Sequence, residues 1–318
     1  NCTFKTRNLR TMFSDFLKLF LKNEPLPEIQ RKFQHLYFID HHFNEIIQQR
    51  GFIKIENIVS EDELQKLQDA YDNLSKFPEY NIADKFQNSG RFRSATIRNF
   101  VMNSIGTFSR DFLPKVFNVN IFELETTGAF QIKPPSSKSD LNPHQDSPVV
   151  DELIHNSVYV WIPLCDIDEK NGPVWVLPGS HLWGNHQRSL NVHWIFEKHT
   201  KLLWKHMQPI SMKKGDILCW DTALIHGSSP NLSNETRVAI TTTVLPKNYS
   251  MVDYYADEKT QKDYVEKYEV YRSFWENEDI MKRPVCPPNK FLGLEKKVFP
   301  YSINKKMLQQ LILKYYVQ

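Results

Sequence analysis

The spacing of apolar positions changes twice along this chain, and the changes divide it into regions. Residues 13–22 carry apolar positions interrupted by charges, which predicts an amphipathic helix packed on the domain and closed by Pro25-Leu26-Pro27. A mixed helical stretch covers 43–49, and a short strand is predicted at 50–56. Ser60 and Glu63 then stand three apart as the two halves of a capping box, with Val59 able to staple onto Leu64. Leu64, Leu67, Tyr71 and Leu74 repeat at helical spacing and mark a buried face.

From 122 onward the period is two. The segment 122–133 reads as a strand pair or one long strand. Ala129, Gln131 and Lys133 share one face of it, and Phe130 and Ile132 the other. Over 157–164, Val158, Val160, Ile162 and Leu164 form an apolar face opposite Ser157, Tyr159 and Trp161. Asn171-Gly172 reads as a hairpin-type turn into a strand at 174–177. Residues 182–208 lose the β rhythm and read as a helical or irregular insertion. Strands resume at 216–220 and 237–245. In the second, Val238, Ile240, Thr242 and Val244 face one way, and Arg237, Ala239, Thr241 and Thr243 the other. An apolar back with a small, polar, Arg-bearing front suits the wall of a ligand-holding barrel. After Pro246 the chain is charged and Tyr-rich. It ends in a predicted helix over 304–316, with Leu308, Leu311, Ile312 and Tyr315 on one side.

Composition adds bounds. With 41% hydrophobic and 24% charged residues, the 318-residue chain is globular rather than disordered. Its 40 basic and 37 acidic residues nearly balance, which gives no case for nucleic acid. The four cysteines form no CxxC pair, and a reducing cytoplasm is the expected compartment. No apolar run approaches the ~20 residues needed to cross a bilayer, so no membrane insertion is expected. The expected organisation is a single domain over 1–318. Its core is about 49–246, with N-terminal helices in 1–48 and a C-terminal extension in 247–318 packed on it.

The chemistry centres on Pro143-His144-Gln145-Asp146 and on a distant histidine, His226. In an extended segment alternate side chains point the same way, so His144 and Asp146 can reach one ion. Two imidazoles and a carboxylate bind Fe(II) on one face and leave the opposite positions open. With 11 histidines in the chain, His-x-Asp alone is a weak signal, and His226 alone reads equally as a structural histidine. Its setting adds weight. Gly227 and Ser228 allow close backbone approach, and a hairpin would bring Arg237 back beside it. A guanidinium at the start of an interior strand of small residues needs an anionic partner. That partner is either Asp221 or Glu235 in a structural salt bridge, or the carboxylate of a bound co-substrate with Ser228 adding a hydrogen bond.

Taken together, these blocks resemble the phytanoyl-CoA dioxygenase family of Fe(II)/2-oxoglutarate oxygenases over about 49–245. The resemblance is carried by Gly51-Phe52-Ile53 with its capped helix, by Pro143-His144-Gln145-Asp146, and by Trp161 with Pro163-Leu164. It continues through Asn171-Gly172-Pro173 to Leu177-Pro178-Gly179-Ser180-His181, and ends at His226-Gly227-Ser228 with Asn231, Ser233 and Arg237. It implies a mainly β fold with flanking helices, built on a double-stranded β-helix (a jelly-roll, cupin-like core). It implies His144, Asp146 and His226 as metal ligands, and Arg237 and Ser228 as the grip on 2-oxoglutarate. Lys133, Gln131 and Trp161 would line the co-substrate pocket, with Trp161 equally readable as a core aromatic. The implied reaction uses Fe(II), 2-oxoglutarate and O₂ to hydroxylate an unactivated C–H bond, releasing succinate and CO₂. The substrate would be a small molecule: an amino acid, a natural-product intermediate, or an acyl or aminoacyl thioester. Halogenating relatives replace the carboxylate ligand with a small residue, so Asp146 favours hydroxylation. The rivals are a non-catalytic metal-binding β-barrel protein, and the same site performing desaturation or cyclisation. The resemblance puts His181 near the pocket mouth, and Arg188, Lys198, Lys201 and Lys205 could serve a long acyl-CoA. Residues 182–208 and those past Pro246 match no family pattern, and substrate choice is expected there.

Overall fold

The computed structural model of the protein describes residues 36–123, 128–257, 263–278, 280–299 and 303–315. The expected helix at 13–22 and the break at Pro25-Leu26-Pro27 lie outside these residues. The first described elements are α1 (His41–Arg50), β1 (Phe52–Ile55), α2 (Glu61–Asp72), β2 (Gln87–Asn88) and α3 (Ala95–Phe112). Next come β3 (Phe122–Glu123), β4 (Gly128–Lys133), β5 (Leu141–His144), β6 (Val158–Pro163) and β7 (Val174–Val176). After the insertion helix α4 (Thr200–Trp204) follow β8 (Gln208–Ile210), β9 (Ile217–Asp221), β10 (His226–Ser228) and β11 (Arg237–Pro246). The last elements are β12 (Met251–Tyr255), β13 (Tyr264–Val270), α5 (Arg272–Asn277), β14 (Lys290–Lys296) and α6 (Lys305–Tyr315).

The larger sheet runs β1-β9-β6-β11-β4-β2, with β3 on the far part of β11. The smaller sheet runs β5-β10-β7-β8. The alternation read from the sequence sets what each face does. Val158, Val160, Ile162, Val238, Ile240 and Val244 are buried in a cluster with Leu64 and Leu67 of α2 and Ile97, Val101 and Ile105 of α3. Thr242, on the same face, satisfies its hydroxyl against Ser109 of α3 at 3.0 Å. Between the two sheets, Trp161, Leu218, Trp220 and Ala239 of the larger meet Val174 and Val176 of the smaller. This is the jelly-roll core with helices behind its larger sheet.

The capping box forms as read: Glu63 N–H donates to Ser60 Oγ at 3.4 Å, and Ser60 N–H donates to Glu63 Oε2 at 3.0 Å. Helix α3 goes beyond the sequence reading, although Ile97, Val101, Ile105, Phe108 and Phe112 recur at helical steps and all are buried. Two turns are corrected. Asn171-Gly172 joins strands of different sheets and is not a hairpin. Gly172 has φ +79°, and a Cβ there would meet Ser229 O at 2.6 Å and Lys133 Cδ at 2.7 Å. Likewise β10 lies in the smaller sheet and β11 in the larger, so the stretch between His226 and Arg237 crosses between sheets. A jelly roll passes successive strands from sheet to sheet, and turn composition alone does not reveal this.

The insertion is irregular with short helical turns, as expected. Its Trp183, Phe196 and Leu203 pack with Leu308, Leu311 and Ile312 of α6. The unanticipated three-stranded sheet β12-β13-β14 follows the core, and its Val252, Tyr254 and Val265 pack against Val192 of the insertion. No helix among the described residues is long and apolar enough to cross a membrane.

Gly227 provides a check on the smaller sheet. A Cβ there would meet Leu141 O at 2.8 Å and Pro143 N at 3.2 Å, both backbone atoms of β5. Gly227→Ala should therefore push β10 from β5, costing roughly 1–3 kcal/mol as an overpacked contact does. Chemical denaturation should show that loss, whereas unchanged stability would mean the strands are not so closely opposed.

Candidate metal and co-substrate site

Antiparallel pairing of β5 with β10 places His144 directly opposite His226. Their rings lie 4.3 Å apart between centroids. Asp146, two residues beyond His144 at the end of β5, turns its carboxylate between them. Oδ1 is 3.8 Å from His144 Nε2, and Oδ2 is 3.5 Å from His226 Nε2. The potential ligand atoms of all three lie within 4.8 Å of one another. The Nδ1 atoms are engaged behind: His144 Nδ1 with Asn142 O at 2.9 Å, and His226 Nδ1 with Leu224 O at 3.0 Å. Backbone carbonyls accept, so Nδ1 carries the proton and Nε2 presents a lone pair inward. Removal from water and the facing His226 push the His144 imidazole down to about 4, which keeps that lone pair free at neutral pH. Trp220 supports the group from the larger sheet. Its indole N–H donates to Asp146 Oδ2 at 3.2 Å, and its ring lies 4.9 Å from that of His226. A set of two imidazoles and one carboxylate, open on one side, fits Fe(II).

The second half of the site is cationic. Register across β11 and β4 sets Arg237 beside Lys133. Both are buried, at 1% and 0% exposure. Arg237 lies over the Trp161 ring at 5.2 Å, and its Nε and Nη1 have no hydrogen-bond partner. Neither Asp221 nor Glu235 takes up this guanidinium: among the described residues no acid pairs with it. The Lys133 ammonium donates to Ser228 Oγ at 2.6 Å and to Ser229 O at 2.5 Å. Trp161 donates its indole N–H to Gln131 Oε1 at 2.9 Å. Burial lowers Arg237 to about 10, and burial together with the Arg237 charge lowers Lys133 to about 6. A buried guanidinium with two free donors, beside an amine that burial and that charge hold largely neutral, forms a cradle for an anion.

Gln131, His144, Asp146 and His226 open onto a cleft of about 680 Å³ that the insertion roofs with Leu190, Val192, His193 and Trp194. An adjoining chamber of about 140 Å³ is lined by Asp146, Val149, Tyr159, Leu190, Trp275 and Ile280, among others. Thus the insertion and the C-terminal extension both reach the cleft. Two sequence expectations fail here. His181 is buried, its Nε2 against Gln48 O at 3.1 Å, away from the cleft. Arg188 is buried too and paired with Glu152, so it offers no surface charge to a thioester. Trp220, Glu152 and Gln145 also support the site, with no signal in the sequence that marks them. Trp220 sits in an apolar run that reads as core, and Glu152 meets its partner only across 36 residues.

The profile of the phytanoyl-CoA dioxygenase (PhyH) family matches residues 47–239. The chain belongs to this family. It is 31% identical over 117 residues to phytanoyl-CoA dioxygenase 1 of Oryza sativa subsp. japonica, covering 36% of this chain and 41% of that protein. To the Arabidopsis thaliana phytanoyl-CoA dioxygenase it is 32% identical over 110 residues, covering 34% and 39%. The chain thus spans about two-fifths of the length of the named relatives it matches. Among solved structures it is similar to the non-haem α-ketoglutarate-dependent carbocyclase SnoK from nogalamycin biosynthesis. That likeness has a TM-score of 0.47 at 14% identity and covers 67% of this chain and 86% of that one. The family match includes both histidines, the carboxylate and the arginine.

Lys133 gives this site a measurable signature. An unfolded lysine titrates near about 10.4, whereas Lys133 in the fold is held down to about 6. Between those values the unfolded chain binds a proton that the folded chain lacks, so the ligand-free protein gains stability as pH rises. Lys133→Met should flatten that gain in denaturation series over roughly pH 7 to 9. The same slope with and without Lys133 would contradict the buried, charge-opposed amine.

Proposed function

We propose that this protein is an Fe(II)- and 2-oxoglutarate-dependent dioxygenase that hydroxylates an unactivated C–H bond of a small-molecule substrate. One observation carries the reading. A two-histidine, one-carboxylate set is tied through Ser228 and Lys133 to a buried guanidinium with two unpartnered nitrogens. His144, Asp146 and His226 would hold the metal. Arg237 would take the far carboxylate of 2-oxoglutarate, and Ser228 and Lys133 would supply further donors to it. Trp161 forms the wall under the guanidinium, and Gln131 fixes that wall through its indole.

When bound, Fe(II) with 2-oxoglutarate and O₂ supplies the oxidising power: one oxygen atom enters the substrate, the other enters succinate, and CO₂ leaves. The chain's own residues do the rest. Backbone carbonyls of Asn142 and Leu224 orient the two imidazoles, and Trp220 orients the carboxylate. Val149, Tyr159, Leu190 and Trp275 give the chamber beside Asp146 an apolar side, and Arg91, Gln131 and Thr241 give it a polar one, so it would hold a substrate with both kinds of surface. The cleft suits an amino acid, a natural-product intermediate, or an acyl or aminoacyl group carried on a thioester. Selection among them rests on 189–194 and on Trp275 and Ile280, the last two of which lie outside the family match. The core at 49–246 carries the chemistry, and the flanking segments shape the entrance. Three described cysteines are free thiols, which favours the cytoplasm as the compartment.

Incubation with a metabolite extract, Fe(II), 2-oxoglutarate and O₂ should release succinate and yield a product heavier by one oxygen atom. Asp146→Ala and His226→Ala should each abolish both signals. Persistence of the product in either variant would remove these residues from the metal set. A product lighter by two hydrogens would assign desaturation or ring closure to the same centre.

A further inference from the structure

The insertion does more than roof the cleft. Arg188 comes from it, is 4% exposed, and has every donor of its guanidinium engaged. Nε donates to the backbone carbonyl of Asp146 at 2.9 Å. Nη1 donates to Glu152 Oε2 at 2.7 Å and to the carbonyl of Asn185. Nη2 donates to Glu152 Oε1 at 2.8 Å and to the carbonyl of Thr222 at 3.4 Å. A guanidinium has five N–H groups, so none is left for a ligand. Glu152 is 2% exposed and accepts a further bond from Thr222 Oγ1 at 3.0 Å. One residue of the insertion therefore holds the loop that carries Asp146 and the turn between β9 and β10 that leads to His226. The neighbouring Gln145 adds a second tie. It accepts from Asn185 Nδ2 at 3.0 Å and Trp194 Nε1 at 3.3 Å, and donates to Ala223 O at 2.7 Å.

We propose that Arg188, locked by Glu152, is a positioning residue for Asp146: it fixes the backbone carbonyl of the carboxylate ligand and so sets the affinity of the metal site. The proposal rests on the functional reading above. Its physical basis is a division of labour. Trp220 fixes the tilt of the Asp146 carboxylate but leaves its backbone free to shift. Asp146 lies beyond the end of β5, so no ladder hydrogen bond of that strand anchors it. The bidentate pair makes the guanidinium rigid, and the Nε bond transfers that rigidity to the ligand. Because the same segment presents Leu190 and Trp194 to the cleft, pressure on the roof reaches the Asp146 backbone through the Arg188 side chain.

Anaerobic titration with Mn(II), followed by the loss of the free-ion paramagnetic signal, tests this without turnover. Thermal melting of the same samples reports on the fold. Arg188→Met leaves the Glu152 charge buried without its cation, and should lower both melting temperature and metal affinity. The double variant Arg188→Met with Glu152→Met removes both charges at similar volume and should recover most of the melting temperature. It still leaves the Asp146 carbonyl without its donor, so its Mn(II) dissociation constant should stay raised by about 10- to 100-fold. Arg188→Lys keeps a charge for Glu152 but loses the fork. It should fold and should not restore affinity, which covers the case of a double variant that fails to fold. Wild-type affinity in either of these two variants would overturn the proposal and leave the site reading standing, provided Asp146→Ala loses binding. If the wild type itself binds no Mn(II), or Asp146→Ala binds as well as the wild type, the site reading falls and the proposal falls with it.

Discussion

The pairing of two short strands, β5 and β10, is the constraint from which the rest follows. Each is brief, and together they span only a few residues, yet their register sets His144 across from His226. Neither strand has a long apolar face to hold it. Pro143 is tolerated because β5 is the outer strand of the smaller sheet, where a missing N–H costs no ladder bond. Gly227 lets the two backbones close to a distance that any side chain would prevent. The register is thus held by fit rather than by length. The surrounding structure, Trp220 on one side and the Arg188–Glu152 pair on the other, is accordingly tied to Asp146 and to the turn at Thr222.

The larger sheet solves a different problem. Its strand β11 is buried along all ten residues, with helices on one side and the interior on the other. On the interior side it carries a guanidinium, and β4 carries an amine beside it. Desolvation of the guanidinium, and the proton that the amine gives up beside it, both disfavour the ligand-free fold. A stable protein keeps such an arrangement where something of opposite charge completes it. The metal set and the cationic cradle come from different sheets, and Lys133 joins them: it is Arg237's cross-strand partner and donates to Ser228, two residues past His226.

Much of this was legible in the residues because period-two alternation survives where a strand has one greasy and one working face. Lys133, Gln131, Trp161 and Arg237 all fell on the working side for that reason. The metal residues were legible as residue types, and their convergence rested on resemblance, since nothing local says that 144 and 226 meet. The turns at 171–172 and 227–236 misled because Gly, Asn and Pro mark a change of direction and do not say which sheet comes next. Arg188 reads as a surface charge from sequence because the insertion has no period, and the acid that pairs with it lies in a loop 36 residues earlier. Helix α3 is legible in the helical period of Ile97, Val101, Ile105 and Phe108. Sheet β12-β13-β14 is harder: its exposed faces carry Lys, Glu and apolar residues alike, which blurs the alternation.

The central claim is that the interior is built for a keto acid with a second carboxylate. It is tested most directly by titrating the metal-loaded protein, without oxygen, with 2-oxoglutarate and with 2-oxobutanoate. The second shares the chelating head and lacks the far carboxylate. If Arg237 waits for that group, 2-oxoglutarate should bind at least about 100-fold more tightly, or about 2.7 kcal/mol. Equal affinities would mean that the buried guanidinium serves something else, and the account would fail at its centre.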